Sequence, residues 1–434
     1  MFFSTLPLAQ EGSAPHNPRM ALGILDRFLE RGVRKGVLEL VRADGSIRRF
    51  GTPVEGYPEV RIRLMGKATE RRILRDPRLG AAEAFMDGHL LVERGHIMEL
   101  VYLLRANARW DRGGELHESS RLKSAIGKVI TLIDGINRAA SAKRNIAHHY
   151  DVGNDLYRLF LDSEHMQYSC AYWPREGMTL EEAQTAKLAH IAAKLAIEPG
   201  NTVLDIGCGW GGMAIYLAQN FNVAVKGITL SEEQLALARR RAADAGVGDR
   251  VDFELVDYRD LADRGEKFDR IVSVGMFEHV GQAQFDRFFR DCARLMADEG
   301  AMLLHTIGRM GRPGSTDAFT RKYIFPGGYI PALSETLAAS EKVRLIATDV
   351  ENLRLHYAKT LREWYKRCVA NKEAIVRLYD ERFYRMWIFY LSGATAAFES
   401  GGMCNYQVQY ARSRHALPIT RTYMVESEKA LPGG

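Results

Sequence analysis

Short apolar runs separated by polar punctuation open the sequence, and their spacing predicts strands at 37–41 and 60–64, with another at 47–50 joined to the first through the Asp44-Gly45 turn. Apolar residues at three- and four-residue intervals over 81–86 and 97–104 predict helices, so this stretch reads as a compact α+β unit. Polar and glycine residues crowd 107–120, a linker by composition. From residue 199 the pattern changes. β-Branched runs at 203–206, 223–228, 251–255, 271–274 and 302–304 alternate with amphipathic stretches, which predicts a mainly parallel sheet with helices on both faces. Beyond 332 the pattern is mainly helical, notably over 372–397, and ends in a candidate strand at 406–410.

A chain of 434 residues with 46% hydrophobic content excludes disorder and fits two or three domains. The longest apolar runs, such as 191–197 and 301–304, are broken by charge well short of the roughly 20 residues a bilayer span needs, so no such span is expected. No positive region precedes the short apolar stretch in residues 1–19, so no secretory signal is expected and a cytoplasmic location is. Cys170, Cys208, Cys292, Cys368 and Cys404 form no C-x-x-C pair, which argues against a disulfide framework and against a thiolate metal site. The net charge of +6 is modest, yet Arg31, Arg34, Lys35, Arg61, Arg63, Arg71 and Arg72 crowd the first third. A basic face of that kind suits an anionic leaflet or nucleic acid, or is simply solvated.

The run Val203-Leu204-Asp205-Ile206-Gly207-Cys208-Gly209-Trp210-Gly211-Gly212 is a strand entering a glycine-rich turn and then a helix over 213–219. Glycines there let the backbone approach a ligand where a Cβ would collide. Dinucleotide-binding sheets use a similar turn with shifted spacing, but Asp205 two residues before the first glycine resembles motif I of class I methyltransferases, which implies S-adenosylmethionine. Thr229 ends the second strand of this unit, where many such enzymes carry an acid for the ribose. Ser231 and Gln234 also make a capping box, so a structural role and a cofactor contact are both open. Asp257 and Tyr258 follow the third strand, where adenine packs, or are plain loop residues.

Six ordered blocks carry a more specific likeness: 149–155, beginning His149-Tyr150-Asp151; 167–173, with Tyr168-Ser169-Cys170; 275–281, with Glu278-His279; 304–308, with His305-Thr306-Ile307; 323–328; and 356–361, with His356-Tyr357. Over roughly 145–412 the chain resembles the cyclopropane-fatty-acid synthase family, including the mycolic acid cyclopropane synthases. The resemblance implies an α/β chain with a class I methyltransferase fold, Rossmann-like with a mainly parallel seven-stranded sheet, over 121–434. A smaller α+β domain over 1–120 would dock on membranes or dimerise. It also implies cofactor contacts at Tyr168, Ser169, Gly207, Gly209, Thr229 and Gln234, and a bicarbonate cluster of Cys170, Glu278, His305, Tyr357 and the Ile307 backbone. The implied partners are a phospholipid membrane surface, touched from its cytoplasmic side, and a second copy of the chain, with no nucleic acid.

That chemistry explains the mixture of residue types. An isolated alkene has no acidic proton, so the enzyme must align its π bond with a sulfonium methyl, and positioning is the main lever. The resulting cation loses a proton to a small base in a dry slot, closing a ring. Tyr357 and the Ile307 N–H would donate to the anion, His305 donate or accept, Glu278 accept its hydroxyl hydrogen, and Cys170 touch it without acting as a nucleophile. Each also has a plain reading as buried core or helix-start acid. Tyr150, Tyr172, Trp173, Phe277 and Tyr323 are candidates to line an acyl tunnel, while Trp387, Phe389 and Tyr390 read as core. Rival outcomes are a methylene or hydroxymethyl branch, methylation of a polar small molecule, and a non-catalytic lipid-binding scaffold.

Overall fold

A computed structural model describes residues 23–114 and 153–434. Strands β1 (Val37–Val41), β2 (Ile47–Phe50), β3 (Glu59–Leu64) and β4 (Leu90–Arg94) form a sheet in the order β2-β1-β3-β4. β1 and β2 are the expected hairpin, and β1 runs parallel to β3. β4 and the helices Ile24–Gly32 and Lys67–Arg75 were outside the sequence reading.

The second sheet holds β5 (Thr202–Ile206), β6 (Ala224–Thr229), β7 (Val251–Leu255), β8 (Phe268–Val274), β9 (Met296–Arg309), β10 (Ile346–Asn352) and β11 (Met403–Ala411). Its order is β10-β11-β9-β8-β5-β6-β7, parallel except that β11 runs antiparallel to both neighbours. That is the seven-stranded sheet of a class I methyltransferase. The order reverses at β5, and the crevice at such a point, outside the carboxyl ends of the strands, is where ligands bind.

The segment after 332 is mainly helical, as its pattern predicts, and it also holds β10, which the pattern does not show; six of the seven residues of β10 are at least partly exposed, so the strand has no apolar period and is recruited by pairing with β11. The stretch 372–397 is two helices, Lys372–Leu378 and Glu381–Glu399, the second started by Asp380, whose side chain accepts the Phe383 N–H at 2.6 Å. β9 extends well past 302–304 in both directions.

Helix Glu381–Glu399 ties the two sheets together, and one apolar core runs from Leu38 and Leu103 to Trp387 and Leu391. At that junction Phe85 meets Phe389 with ring centroids 6.1 Å apart. Beside it Glu83 accepts Lys322 Nζ at 2.7 Å and the Tyr323 hydroxyl at 2.8 Å. Burial opposes the charge, but these partners and Arg72 hold the carboxyl down to about 2. The start of the supposed linker is packed: the Trp110 N–H donates to the Ser400 carbonyl at 2.9 Å. Residues 115–120 of it lie outside the described residues. Among the described residues no helix is long and apolar enough to cross a membrane.

Candidate active site

Beyond β5 the chain turns through glycines that the geometry requires. Gly207 has φ +81°, and a Cβ on it would come 2.9 Å from the Met276 side chain. A Cβ on Gly212 would come 2.3 Å from the His165 carbonyl. The turn is pinned by the Gly207 and Cys208 N–H groups, which donate to the Ile228 carbonyl at 2.9 and 3.0 Å, and by Trp210, whose indole donates to Asn154 Oδ1 at 2.7 Å. Asn154 belongs to the first family block; His149 to Val152 of that block, with Tyr150, lie outside the described residues.

One pocket at this turn is bordered by all nine expected cofactor residues: Tyr168, Ser169, Asp205, Gly207, Gly209, Thr229, Gln234, Asp257 and Tyr258. Asp205 Oδ2 is buried with no hydrogen-bond partner, and burial pushes its carboxyl up to about 7. Ser231 does cap the next helix, accepting the Gln234 N–H at 3.3 Å, but the Gln234 side chain accepts the Thr229 hydroxyl at 3.0 Å instead of returning to the cap. Asp257 caps helix Tyr258–Asp263 and binds the Arg259 guanidinium at 2.8 Å, so it is also structural. Tyr258 stands edge-on to Phe288 at 5.4 Å. Sequence reasoning missed Lys187 and Gln167. Lys187, fully buried on helix Leu180–Lys194, donates to Ser169 Oγ at 2.9 Å and to Gln167 Oε1. Burial brings its ammonium down to about 7. A lysine inside an apolar helical run was the available signal.

Against this pocket lies a cavity of about 2650 Å³ bordered by all five residues of the expected anion cluster, Cys170, Glu278, His305, Ile307 and Tyr357. Tyr168, Ser169, Gly275, His279 and Phe325 border both spaces, so they meet there. Apolar walls come from both sheets' helices, including Leu25, Phe28, Leu100, Phe389, Ala394 and Phe398. Phe389 and Tyr390 therefore face the cavity rather than only the core, whereas Trp387 is core as expected. The proposed tunnel aromatics are corrected: Tyr172, Trp173, Phe277 and Tyr323 do not border it. Tyr172 is stacked between His190 and His356, Trp173 donates to Thr360, Phe277 packs among Phe285, Phe288 and Phe289, and Tyr323 holds Glu83.

The electrostatics favour neutral groups. Burial pushes the Cys170 thiol far up, so the sulfur is a thiol; it donates to the Ala171 carbonyl at 3.3 Å. Burial raises Glu278 to about 7 against the Ile307 N–H, which donates to Oε1 at 2.5 Å, while Oε2 is buried without a partner. The Ile307 N–H, expected to donate to the anion, donates to Glu278 instead. Burial, then the charges of Lys187 and Lys194, push His305 well below its usual range. Tyr357 sits edge-on to Trp364 and Phe398 at 5.7 and 4.8 Å. Donors beside an apolar slot and a carboxyl poised near neutrality can seat one small anion without a free counter-ion.

A family model described as mycolic acid cyclopropane synthetase matches residues 137–408. The chain is 38% identical over 370 residues to a cyclopropane-fatty-acyl-phospholipid synthase of Escherichia coli (strain K12), covering 85% of this chain and 92% of that one. It is equally 38% identical, over 417 residues, to tuberculostearic acid methyltransferase UfaA1 of Mycobacterium tuberculosis (strain ATCC 25618 / H37Rv), covering 91% and 92%. The cyclopropane synthase MmaA2 from Mycobacterium tuberculosis superposes with a TM-score of 0.59 at 33% identity over 62% of this chain and 98% of that one. Mycolic acid cyclopropane synthase CmaA1 complexed with SAH and CTAB gives 0.58 at 35% identity, with the same coverage. With five of the six sequence blocks falling among described residues at one pair of adjoining cavities, and the match spanning the whole seven-stranded sheet but for its last residues, the chain belongs to the mycolic acid cyclopropane synthetase family.

Proposed function

We propose that the protein transfers a methyl group from S-adenosylmethionine to the double bond of an unsaturated acyl chain of membrane phospholipid and closes a cyclopropane ring with bicarbonate as base. The observation that carries this is the meeting of a nucleotide-type pocket and a large apolar cavity at Tyr168, Ser169, Gly275, His279 and Phe325, with Cys170, Glu278, His305 and Tyr357 on the cavity side. Both ligands fit the residues present. The partnerless Asp205 Oδ2 borders the first space and the partnerless Glu278 Oε2 belongs to a residue bordering the second.

Thr229, Gln234, Asp257 and Tyr258 would hold the nucleoside end of the donor, and Tyr168, Ser169 and Gly207 to Gly209 its amino-acid end. When bound, the donor supplies an electrophilic methyl and the bicarbonate a small base. Glu278 would accept the hydroxyl hydrogen of the anion, Tyr357 and His305 would hydrogen-bond its oxygens, and Cys170 would close the pocket as a thiol. The apolar walls exclude water that would otherwise capture the cation.

The second reading is a methylene or hydroxymethyl branch, favoured by the equal identity to a relative named tuberculostearic acid methyltransferase. Incubation with S-adenosylmethionine and vesicles of monounsaturated phosphatidylglycerol, followed by mass spectrometry and proton NMR of the fatty acids, separates the two. Upfield ring protons with a gain of one CH2 support the synthase; vinylidene protons with the same gain support the methylene branch, and a gain of CH2 plus H2O without alkene protons the hydroxymethyl one; no gain at any bicarbonate concentration defeats both readings.

Membrane docking through the first sheet's unit belongs to the same proposal, because the exposed Arg31, Arg34 and Lys35 border the apolar cavity. Arg31→Glu, Arg34→Glu and Lys35→Glu together should weaken binding to anionic vesicles, roughly 1 kcal/mol per charge. Unchanged sedimentation with vesicles would end that part. A homodimer is read from family membership alone and is tested by analytical ultracentrifugation.

A further inference from the structure

His305 sits on β9 opposite Gln407 of β11, and Ile307 opposite Asn405. Both amides reach the imidazole: Gln407 Nε2 lies 3.2 Å from Nδ1 and Asn405 Nδ2 lies 3.4 Å from Nε2. The ring is fully buried and neutral. A neutral imidazole carries one N–H and one lone pair, so two amide NH2 groups cannot both donate to it.

The far end of Gln407 decides which one does. Its Oε1 accepts Lys194 Nζ at 2.8 Å, and an ammonium can only donate, so Nε2 is the end that faces His305. Nδ1 is then the acceptor and the proton resides on Nε2. Asn405 agrees once its amide turns: Oδ1 is buried without a partner, and exchanging it with Nδ2 places an acceptor opposite the Nε2–H. Lys194 is fixed in turn by Glu351, which also accepts His190 Nε2 at 2.7 Å, and His190 is held from its other side by Glu428 at 2.9 Å. Of the two amides, Asn405 borders the cavity and Gln407 does not, so the protonated edge of the ring is the one toward the slot.

We propose that Gln407 and Lys194 are positioning residues that hold His305 as the Nε2–H tautomer, making it a hydrogen-bond donor toward the cavity and barring it from accepting the substrate proton. The functional half of this rests on the bicarbonate reading: His305 donates to the anion, exchanging its long contact with Asn405, and the anion alone is left as base. A lone pair on Nε2 would instead repel the anion and compete for the proton.

The test uses the full chain labelled with 15N-histidine, with His305→Gln to assign the signals, and long-range 1H–15N NMR to tell protonated from unprotonated ring nitrogens. The wild-type ring should show a protonated Nε2 and a bare Nδ1, unchanged from pH 6 to 9. Gln407→Glu keeps a partner for Lys194 but offers Nδ1 only an acceptor, so the proton should move to Nδ1 and turnover should fall roughly 10²-fold, with S-adenosylhomocysteine affinity unchanged. Gln407→Leu should give a mixture of tautomers. A protonated Nδ1 in the wild type, or an unmoved proton in Gln407→Glu, overturns the proposal. If the tautomers behave as stated but wild-type turnover ignores bicarbonate, the assignment stands and the bicarbonate reading falls.

Discussion

Glu278 Oε1 accepts the backbone N–H of Ile307 at 2.5 Å, joining the loop after β8 to the carboxyl-terminal end of β9, while the other oxygen of the same carboxylate is buried without a hydrogen-bond partner. A carboxyl half satisfied in a dry setting is costly to ionise, and burial accordingly lifts it to about 7.

This makes Glu278→Gln a stability probe as well as an activity probe. Between the ordinary value of 4.5 and about 7 the folded chain holds a proton that the unfolded chain has lost, so this residue lowers stability as pH rises through that window. The full penalty is about 3 kcal/mol above it. Glu278→Gln should melt like the parent at pH 4 and higher than the parent at pH 8 in bicarbonate-free buffer, with turnover lower by roughly 10²-fold. Equal melting temperatures at pH 8 would show that the carboxyl is not destabilising.

Cys170 should resist alkylation. Its sulfur is buried and its thiol pushed far up, and only a thiolate attacks iodoacetamide. Mass spectrometry should find Cys170 unmodified in the folded chain at pH 8 and modified after urea. Cys170→Ser should retain measurable turnover, which a covalent mechanism could not.

Thr229→Val removes the hydroxyl that donates to Gln234 Oε1 at 3.0 Å. Losing a hydrogen bond of about 1 kcal/mol should raise KM for S-adenosylmethionine roughly fivefold and leave kcat near its parent value. A fall in kcat with KM constant would move this pair out of the donor site.

Two glycines of one turn should respond differently to alanine. At Gly212 the added carbon meets the His165 carbonyl at 2.3 Å, a backbone atom that cannot step aside, and overpacking of this kind costs about 1–3 kcal/mol. At Gly209 nothing lies within 4 Å and only the φ of +55° is strained. Differential scanning calorimetry should therefore show the larger loss for Gly212→Ala.

Much of this architecture was legible because β5, β6 and β8 are short runs rich in valine and isoleucine and the glycine turn after β5 punctuates them. β10 was not, since Asp349 is its only fully buried residue and pairing rather than pattern creates the strand. At the site, blocks of neighbouring residues such as Tyr168 to Cys170 pointed to the right cavities. The supports did not show: Lys187, Lys194 and Gln407 lie 18, 157 and 102 positions from groups they serve or are braced by, and only the fold brings them near. The tunnel aromatics were misplaced for a similar reason, because ring type says nothing about which face of the sheet a ring will occupy.

β11 carries its amides Asn405, Gln407 and Gln409 on one side and Tyr406, Val408 and Tyr410 on the other, all of them buried. Threading it one residue out of step would drive three amides into the aromatic packing around Phe289 and turn rings toward Lys194, each stranded polar group costing about 1–3 kcal/mol. Misassembled chains are thereby penalised by the same side chains that reach His305, and quality control of folding and readiness for chemistry are decided by a single pairing event.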